Sequence, residues 1–189
     1  MLMISENRCV GCGICVKDCP SGAVSLNIDK GVAVLNCEKC MGCNLCIQNC
    51  PQDAINNVEG ELVFAIGTDD GKTVKQNDHF GMSRIFQIWK YSNGELTFQT
   101  ERKNAKYEED ETRIHGDPKK AEAITSVLNG VDVLVGKMMG PNIVQIRKSF
   151  VPVIVRQSNI DDVVEVLKRN IIEIIDEKEK KDRRGLVLK

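Results

Sequence analysis

The pattern of apolar and polar positions after residue 60 predicts regular secondary structure. The mostly apolar run Leu62 to Ile66 is ended by the turn Gly67 to Gly71, and this pattern is typical of a buried strand. Two further runs, Ile85 to Tyr91 and Leu96 to Thr100, are rich in residues that favour strands. Residues 92–94, Ser-Asn-Gly, separate these two runs, so together they predict a hairpin.

Helices and strands alternate in the next predicted segment. Lys103 to Gly116 is polar and acidic and predicts a solvated loop. Residues 117–130 then predict a helix, with Asp-Pro at its start and Asn-Gly at its end. Val131 to Val135 and Val151 to Val155 predict strands, and Pro141 opens a short helix between them. A strand–helix–strand connection of this length demands a parallel pair with a right-handed crossover.

An amphipathic helix followed by a run of charges is predicted at the C-terminal end. Residues 158–161, Ser-Asn-Ile-Asp, have the pattern of a capping box. From Asp176 onward the sequence is strongly charged, so we expect residues 176–189 to form a charged, frayed tail. Between these two segments, apolar side chains recur along one helical face at Ile160, Val163, Val164, Leu167 and Ile171.

Residues 1–58 follow a different pattern, in which the spacing of cysteines dominates. Two runs have the spacing C-x2-C-x2-C-x3-C-P, and a shift of 31 residues superposes one run on the other. Such similarity implies two copies of one supersecondary unit. Residues 1–60 contain no aromatic side chain, so metal in the interior would supply the core that so small a segment lacks. The runs consist of Cys9, Cys12, Cys15, Cys19 and Pro20, and of Cys40, Cys43, Cys46, Cys50 and Pro51.

The spacing resembles that of the bacterial ferredoxins that carry two [4Fe–4S] clusters, over residues 1–58. The resemblance implies a ferredoxin-like domain of two βαβ units that handles electrons. In these ferredoxins the cysteine before the proline ligates the other cluster. Gly11, Gly13 and Gly42 are expected to let backbone amides approach the sulfurs. The implied ligand sets are Cys9, Cys12, Cys15 and Cys50 for one cluster, and Cys40, Cys43, Cys46 and Cys19 for the other.

Other cysteine chemistries compete with clusters at these runs. Disulfides need an oxidising compartment, whereas residues 1–8 do not resemble a signal peptide, which favours the cytoplasm. Zinc also binds thiolates at C-x2-C spacing, although its ligands normally form two distant pairs. A thioredoxin-type redox pair explains only two cysteines of each four. The ninth cysteine, Cys37, aligns with Glu6 under the shift and is either a spare thiol near the second cluster or a replacement ligand.

Residues 61–173 predict an α/β domain with a mixed, ribonuclease H-like sheet, after a polar join at residues 56–60. Three antiparallel strands come first in that fold, and helices and strands alternate afterwards. The order of elements and several signatures resemble the dinitrogenase iron–molybdenum cofactor biosynthesis family. The resemblance implies a small accessory domain that binds or carries iron–sulfur-based metalloclusters, here transiently and without cysteine ligands. The signatures are Gly67 to Lys72, His79 to Gly81, His115-Gly116 and Gly136 to Pro141.

The family resemblance also provides candidate ligands for a metallocluster. His79 matches the histidine that contacts the cofactor in the family, and its alternative role is to cap the loop between the first strands. His115 is either plain surface or a second cofactor-binding residue beside His79. Met138 and Met139 offer thioether sulfur, although methionine in a loop often only fills a gap.

The predicted topology indicates where such a site would lie. Gly67 and Gly136 each end a strand, and these strands should be parallel neighbours. Ligands of α/β sheets favour the crevice beyond the carboxyl ends of strands. Gly140 precedes the helix opened by Pro141, and amides at a helix start suit an anionic cluster. Gly67 and Gly140 are therefore candidate cofactor-binding positions.

Composition narrows the classes of partner and activity. The chain has 26 basic and 27 acidic residues and no basic stripe with interleaved aromatics, so nucleic acid is not expected as a partner. No apolar run is long enough to insert across a membrane. The strand Leu62 to Ile66 carries no acidic residue, and Asp69 and Asp70 fall in a turn, so nuclease chemistry is not expected. Phe80, Phe86 and Trp89 are candidates for an interface.

The expected function is that of a non-enzymatic iron–sulfur protein. Its two [4Fe–4S] clusters would pass electrons to a redox or cluster-assembly protein partner, or its second domain would hold clusters for that partner. One alternative is a simple electron carrier whose second domain only docks a protein. Another is a redox or oxygen sensor in which loss of a cluster unfolds residues 1–58.

Overall fold

The computed structural model describes residues 1–104 and 125–189. The chain divides into two compact units. The first comprises residues 1–59 together with 169–173, and the second comprises residues 60–168 and 174–189. Residues 169–173, which the sequence groups with the second domain, therefore belong to the first unit.

The first unit is built from short elements in the order β-α-β-β-α-β. Two one-turn helices separate strands that pair into two antiparallel two-stranded sheets, β1 with β4 and β2 with β3. The bounds are β1 Leu2–Ile4, α1 Ile14–Lys17, β2 Val24–Asn27, β3 Val32–Leu35, α2 Leu45–Gln48 and β4 Ile55–Asn57.

The core of the first unit contains cysteine among its apolar side chains. Cys15 and Cys46 are buried together with small aliphatic residues of the strands, such as Val24 and Ile55. Three further cysteines, Cys9, Cys19 and Cys50, are partly buried against this cluster. The interior of the unit is therefore centred on sulfur, as expected for a segment without aromatic side chains.

The second unit contains, within the described residues, a six-stranded mixed sheet with the order β10-β9-β8-β5-β6-β7. β6 pairs antiparallel with both β5 and β7, whereas β5, β8, β9 and β10 run parallel to one another. The predicted parallel pairing of the strands that carry Gly67 and Gly136 is thus confirmed. The bounds are β5 Leu62–Thr68, β6 Ile85–Ser92, β7 Glu95–Lys103, β8 Val133–Gly136, β9 Val151–Val155 and β10 Leu186–Leu188.

The predicted hairpin between β6 and β7 is confirmed. Tyr91 pairs with Leu96 across the turn, and both side chains are buried. Asn93 and Gly94 have φ of 52° and 85°, the left-handed conformation that a two-residue hairpin turn requires. Lys103, expected in the loop, ends β7. Residues 105–124, with the rest of that loop and most of the following helix, lie outside the described residues.

Helices α3 Ile143–Ser149, α4 Ile160–Arg169 and α5 Ile171–Glu179 belong to the C-terminal part of the chain. Four positions of the predicted apolar face, Ile160, Val163, Val164 and Leu167, are buried in α4, as expected. The fifth, Ile171, is buried too but begins the separate helix α5. The N-cap of α4 is Asn159, whose side-chain oxygen accepts the Asp161 amide at 2.8 Å. The capping residue is thus one position later than the Ser158 pattern indicates.

The expectation of a frayed tail after Asp176 is wrong. α5 continues to Glu179, and Leu186–Leu188 forms the edge strand β10, which pairs parallel to β9. The buried Glu177 carboxylate accepts the amides of Arg184 at 2.5 Å and Gly185 at 2.7 Å. These bonds hold the turn that returns the chain to the sheet.

Candidate metal centres and cofactor site

Two cavities in the first unit sort eight cysteines into two sets of four. One cavity, of about 380 Å³, is lined by Cys19 together with Cys40, Cys43 and Cys46. The other, of about 20 Å³, is lined by Cys50 together with Cys9, Cys12 and Cys15. Each cavity thus combines three cysteines of one run with the proline-preceding cysteine of the other. This is the crossed arrangement that the ferredoxin resemblance implies.

The turn before each one-turn helix brings the middle cysteines of a run inward. Gly13 precedes α1 with φ of 77°, and Asn44 precedes α2 with φ of 60°. Both residues take the left-handed conformation, which glycine and asparagine tolerate best. The chain therefore turns sharply, and Cys15 and Cys46, the second residues of α1 and α2, are buried.

Backbone amides donate hydrogen bonds to the outer cysteine sulfurs. In the described chain, the Ala23 amide lies 3.2 Å from Cys19 Sγ and the Ala54 amide 3.4 Å from Cys50 Sγ. The Ala33 amide of β3 lies 3.2 Å from Cys9 Sγ. These alanine amides, rather than those of the glycines singled out in the sequence, make the resolved contacts. They stabilise negative charge on sulfur, as a metal-bound thiolate requires.

The environment of the thiols differs within each set. The Ser21 hydroxyl, 3.6 Å from Cys19 Sγ, together with nearby amides lowers the pKa of Cys19 to about 7. Burial raises the pKa of Cys15 and of Cys46, so these thiols resist ionisation in the absence of metal. A bound metal deprotonates its thiol ligands, so metal binding overcomes this resistance.

In the second unit, two glycines make room for Phe80 rather than exposing backbone to a ligand. A Cβ atom on Gly67 would lie 3.0 Å from Phe80 Cδ2 and 2.5 Å from Ser83 Oγ. A Cβ atom on Gly136 would lie 3.3 Å from Phe80 Cβ. The Phe80 ring stacks on Phe86 at 4.8 Å, and both are buried, so the expectation that they face an interface is wrong.

Packing of Phe80 fixes the position of the adjacent His79. His79 precedes the 3-10 turn Phe80–Met82, and the Phe80 amide donates to the Met138 carbonyl at 2.9 Å. The half-buried His79 makes no side-chain capping bond. Its Nδ1 atom is buried without a hydrogen-bond partner in the protein. A Cβ atom on Gly140 would lie 3.8 Å from the imidazole Cγ, so two of the separate candidates, His79 and Gly140, are neighbours.

The other candidates in this unit fall into different environments. Met139 packs against the apolar core as a gap filler, whereas Met138 is 40% exposed. His115 lies outside the described residues. Trp89 packs edge to face on Phe98 with ring centroids 5.6 Å apart.

The loop after β5 is held by its own aspartates. Asp70 Oδ1 accepts the amides of Thr73 at 2.7 Å and Lys72 at 2.8 Å, and these bonds hold the pKa of Asp70 well below its usual range. Asp69 pairs with Lys75 at 2.6 Å. Both carboxylates therefore act as turn-stabilising groups, as expected for aspartate in such a turn.

Two family models match this chain, and their matches overlap at residues 60–79. A model of the family described as dinitrogenase iron-molybdenum cofactor matches residues 60–170. A model described as 4Fe-4S dicluster domain matches residues 1–79. No curated protein has a sequence that matches this chain significantly. Among the described residues, no helix has the length and apolar character needed to cross a membrane.

Two solved structures are similar to parts of the chain. A candidate dinitrogenase from Methanocaldococcus jannaschii is 12% identical, with a TM-score of 0.42, and the match covers 59% of this chain and 92% of that one. An adenosine 5'-phosphosulfate reductase in complex with substrate is 18% identical, with a TM-score of 0.28, over 65% of this chain and 85% of that one. The family match spans more than half of the residues. This chain is therefore a member of the dinitrogenase iron-molybdenum cofactor family that carries a 4Fe-4S dicluster domain at its N-terminus.

Proposed function

We propose that this protein transfers electrons through two [4Fe–4S] clusters and couples them to a domain that binds or helps to assemble a metallocluster. The observation that carries the proposal is that two cavities divide the eight cysteines of the two runs into crossed sets of four, with Cys37 as a fifth cysteine at the larger cavity. Four thiolates are the ligand set of a [4Fe–4S] cluster, and crossed sets are typical of ferredoxins with two clusters. As part of the same proposal, the fold of the first unit is ferredoxin-like and the fold of the second unit is ribonuclease H-like.

The residues of the first unit supply the number and type of ligands that two such clusters need. Bound clusters supply one-electron chemistry. Cys9, Cys12, Cys15 and Cys50 would hold one, and Cys40, Cys43, Cys46 and Cys19 the other. The Ala23, Ala33 and Ala54 amides compensate thiolate charge, and burial of Cys15 and Cys46 keeps water from the inner sulfurs. Hydrogen bonding and solvent exposure are the protein's means of setting the reduction potential.

In the second unit, His79 is the residue proposed to contact a transiently bound metallocluster. An imidazole nitrogen that is buried without a partner is costly, and a ligand that bonds to this nitrogen would relieve the cost. Imidazole is also a common iron ligand. Gly140 leaves the ring free of a neighbouring side chain on that side. The cluster bound here is cargo, handed to or received from a redox or assembly protein in the cytoplasm, and no catalysis is proposed.

The first test is metal analysis of the full chain purified without oxygen. We expect about eight iron and eight sulfide per chain, four of each for one cluster, with a low-temperature electron paramagnetic resonance signal after reduction. Zinc in place of iron, or iron for one cluster only, would contradict the proposal for the first unit.

The second test measures further cluster uptake once the first unit is full. The full chain is mixed with a labile synthetic iron–sulfur cluster, and the additional bound iron is compared between the parent, His79→Ala and Met82→Ala. Met82 is 40% exposed on the same turn, so its variant controls for disturbance of the turn. Extra uptake in the parent and in Met82→Ala, but not in His79→Ala, supports the proposal. Equal uptake in all three proteins removes the role of His79, and no uptake favours a simple carrier.

A further inference from the structure

The larger cavity is lined by a fifth cysteine that the crossed ligand sets do not use. Cys37 lies in its wall together with Cys19, Cys40, Cys43 and Cys46. In the sequence, residues 37, 40, 43 and 46 are all cysteines at a regular spacing of three. The smaller cavity has no such addition, because the position equivalent to Cys37 is Glu6.

The local fold does not require a cysteine at this position. Residues 37–39 form a turn in which Asn36 Oδ1 accepts the Lys39 amide at 3.2 Å, and the Cys40 amide donates to the Cys37 carbonyl at 3.3 Å. The same turn occurs in the other half of the repeat at residues 6–8. There Ser5 Oγ accepts the Arg8 amide at 3.3 Å. Glutamate and cysteine thus occupy equivalent turns, so the Cys37 thiol is free for chemistry.

The members of this cavity differ in how firmly they are held. Cys46 is buried in the apolar core, and Cys19 Sγ is fixed by the Ala23 amide and the Ser21 hydroxyl. Cys40 is only half-buried and lies at the end of the turn that begins at Cys37, which is exposed. Cys43 is also exposed, but it lies six residues from Cys37 in the sequence, whereas Cys40 lies three residues away in the same turn. Cys40 is therefore the ligand that Cys37 can replace with the smallest change of the chain.

We infer that Cys37 is an alternate ligand that exchanges with Cys40 at the cluster in the larger cavity. The inference rests on the proposed function of the first unit. In the exchange, the Cys37 thiol loses its proton and its thiolate forms a bond to iron. The Cys40 thiolate leaves that iron and takes up a proton, so charge balances and no electron is needed. The cluster keeps four cysteine ligands when Cys40 is modified or oxidised, whereas the other cluster has no such reserve.

The test compares cluster content in four full-length variants after anaerobic reconstitution: Cys37→Ala, Cys40→Ala, the double variant, and Cys9→Ala. Cys9 is the repeat equivalent of Cys40 but has Glu6 in place of a spare thiol, which makes it the matched control. We expect about eight iron per chain in Cys40→Ala and in Cys37→Ala, and about four iron per chain in the double variant and in Cys9→Ala. Iron in Cys40→Ala as low as in the double variant would overturn the inference.

A second measurement does not require Cys40→Ala to fold. The rate of iron release to a chelator is followed in the parent and in Cys37→Ala, and we expect half of the iron to leave faster from the variant. Equal rates would overturn the inference. If the parent protein holds two clusters but the variants do not behave as expected, only the inference about Cys37 is wrong. If the parent holds no clusters, the proposed function of the first unit is wrong as well.

Discussion

Cys19 and Cys40 line the same cavity although they belong to different cysteine runs. The folding of residues 1–59 therefore brings the end of one repeat to the beginning of the other. In the proposed crossed ligand sets, neither repeat completes a set alone, so we expect both halves of the first unit to fold together around their metal.

Removal of iron should unfold the first unit and leave the second folded. The core of the first unit contains cysteines and small aliphatic side chains, without aromatic residues that would hold it in the absence of metal. The chain's one tryptophan, Trp89, lies in β6 and reports on the second unit. After anaerobic chelation, we expect proteolysis within residues 1–59 and unchanged Trp89 fluorescence. Resistance of residues 1–59 to protease after complete iron loss would contradict this expectation.

Ser21→Ala should lower the reduction potential of the cluster in the larger cavity. The hydroxyl lies 3.6 Å from Cys19 Sγ, and a hydrogen bond to a cluster sulfur stabilises the more negative reduced state. Gln52 occupies the equivalent position of the other repeat, two residues after Cys50. Gln52→Ala is therefore the control, and it should leave this potential unchanged in a spectroscopic redox titration. A potential that is the same in Ser21→Ala and in the parent would show that the hydroxyl does not act on the cluster.

Gly67→Ala should destabilise the second unit. The added Cβ would lie 2.5 Å from Ser83 Oγ and 3.0 Å from the Phe80 ring, so the side chains of Ser83 and Phe80 must move. Overpacking of this kind costs about 1–3 kcal/mol. Urea unfolding of the full chain, followed by Trp89 fluorescence, measures the loss. Gly140→Ala is the control, because its Cβ would meet His79 only at an ordinary 3.8 Å. Equal stability of the two variants would contradict the assigned role of Gly67.

Glu177→Gln should destabilise the C-terminal turn and alter its pH dependence. Burial alone opposes ionisation of Glu177, but hydrogen bonds from Lys180 and from the amides of Gly185 and Arg184 outweigh it and lower the pKa. The folded-state pKa lies below the ordinary value of 4.5, so the stabilisation is complete above pH 4.5 and is lost as the pH falls further. We expect a loss of about 1–3 kcal/mol at pH 7 in the variant.

The control for this prediction is Glu179→Gln, which changes an exposed carboxylate two residues away. Unfolding by urea is measured for both variants at pH 7 and below pH 4.5. The difference between the parent and Glu177→Gln should shrink at the lower pH. A difference that stays constant with pH would contradict the assigned charge state of Glu177.

Local signals in the sequence predicted the elements that depend on neighbouring residues. Asn93-Gly94 predicted the β6–β7 turn because few residues adopt positive φ readily. The five residues of Val151–Val155 are the predicted strand without a shift, because β-branched side chains and the flanking polar segments define it. The pairing of β5 with β8 followed from the strand–helix–strand order.

Features that depend on distant contacts were not predictable in this way. The strand Leu186–Leu188 follows a charged segment, and the turn before it is held by the buried Glu177 carboxylate and by hydrogen bonds from the Arg183 side chain. The role of Gly67 depends on Phe80 and Ser83, which are brought to it by the sheet. The amides of Ala23, Ala33 and Ala54 reach sulfur only after the chain has folded.

Paired cysteine replacements test the crossed ligand sets most directly. In a Cys37→Ala background, where the fifth cysteine cannot complete a ligand set, Cys19→Ala is combined either with Cys43→Ala, at a residue that lines the same cavity, or with Cys12→Ala, at a residue that lines the other. Iron and sulfide are then measured in the full chain after anaerobic reconstitution. The first combination should keep one cluster, about four iron per chain, and the second should keep no intact cluster. The reverse result, with one cluster kept only when Cys19 and Cys12 are both replaced, would contradict the account.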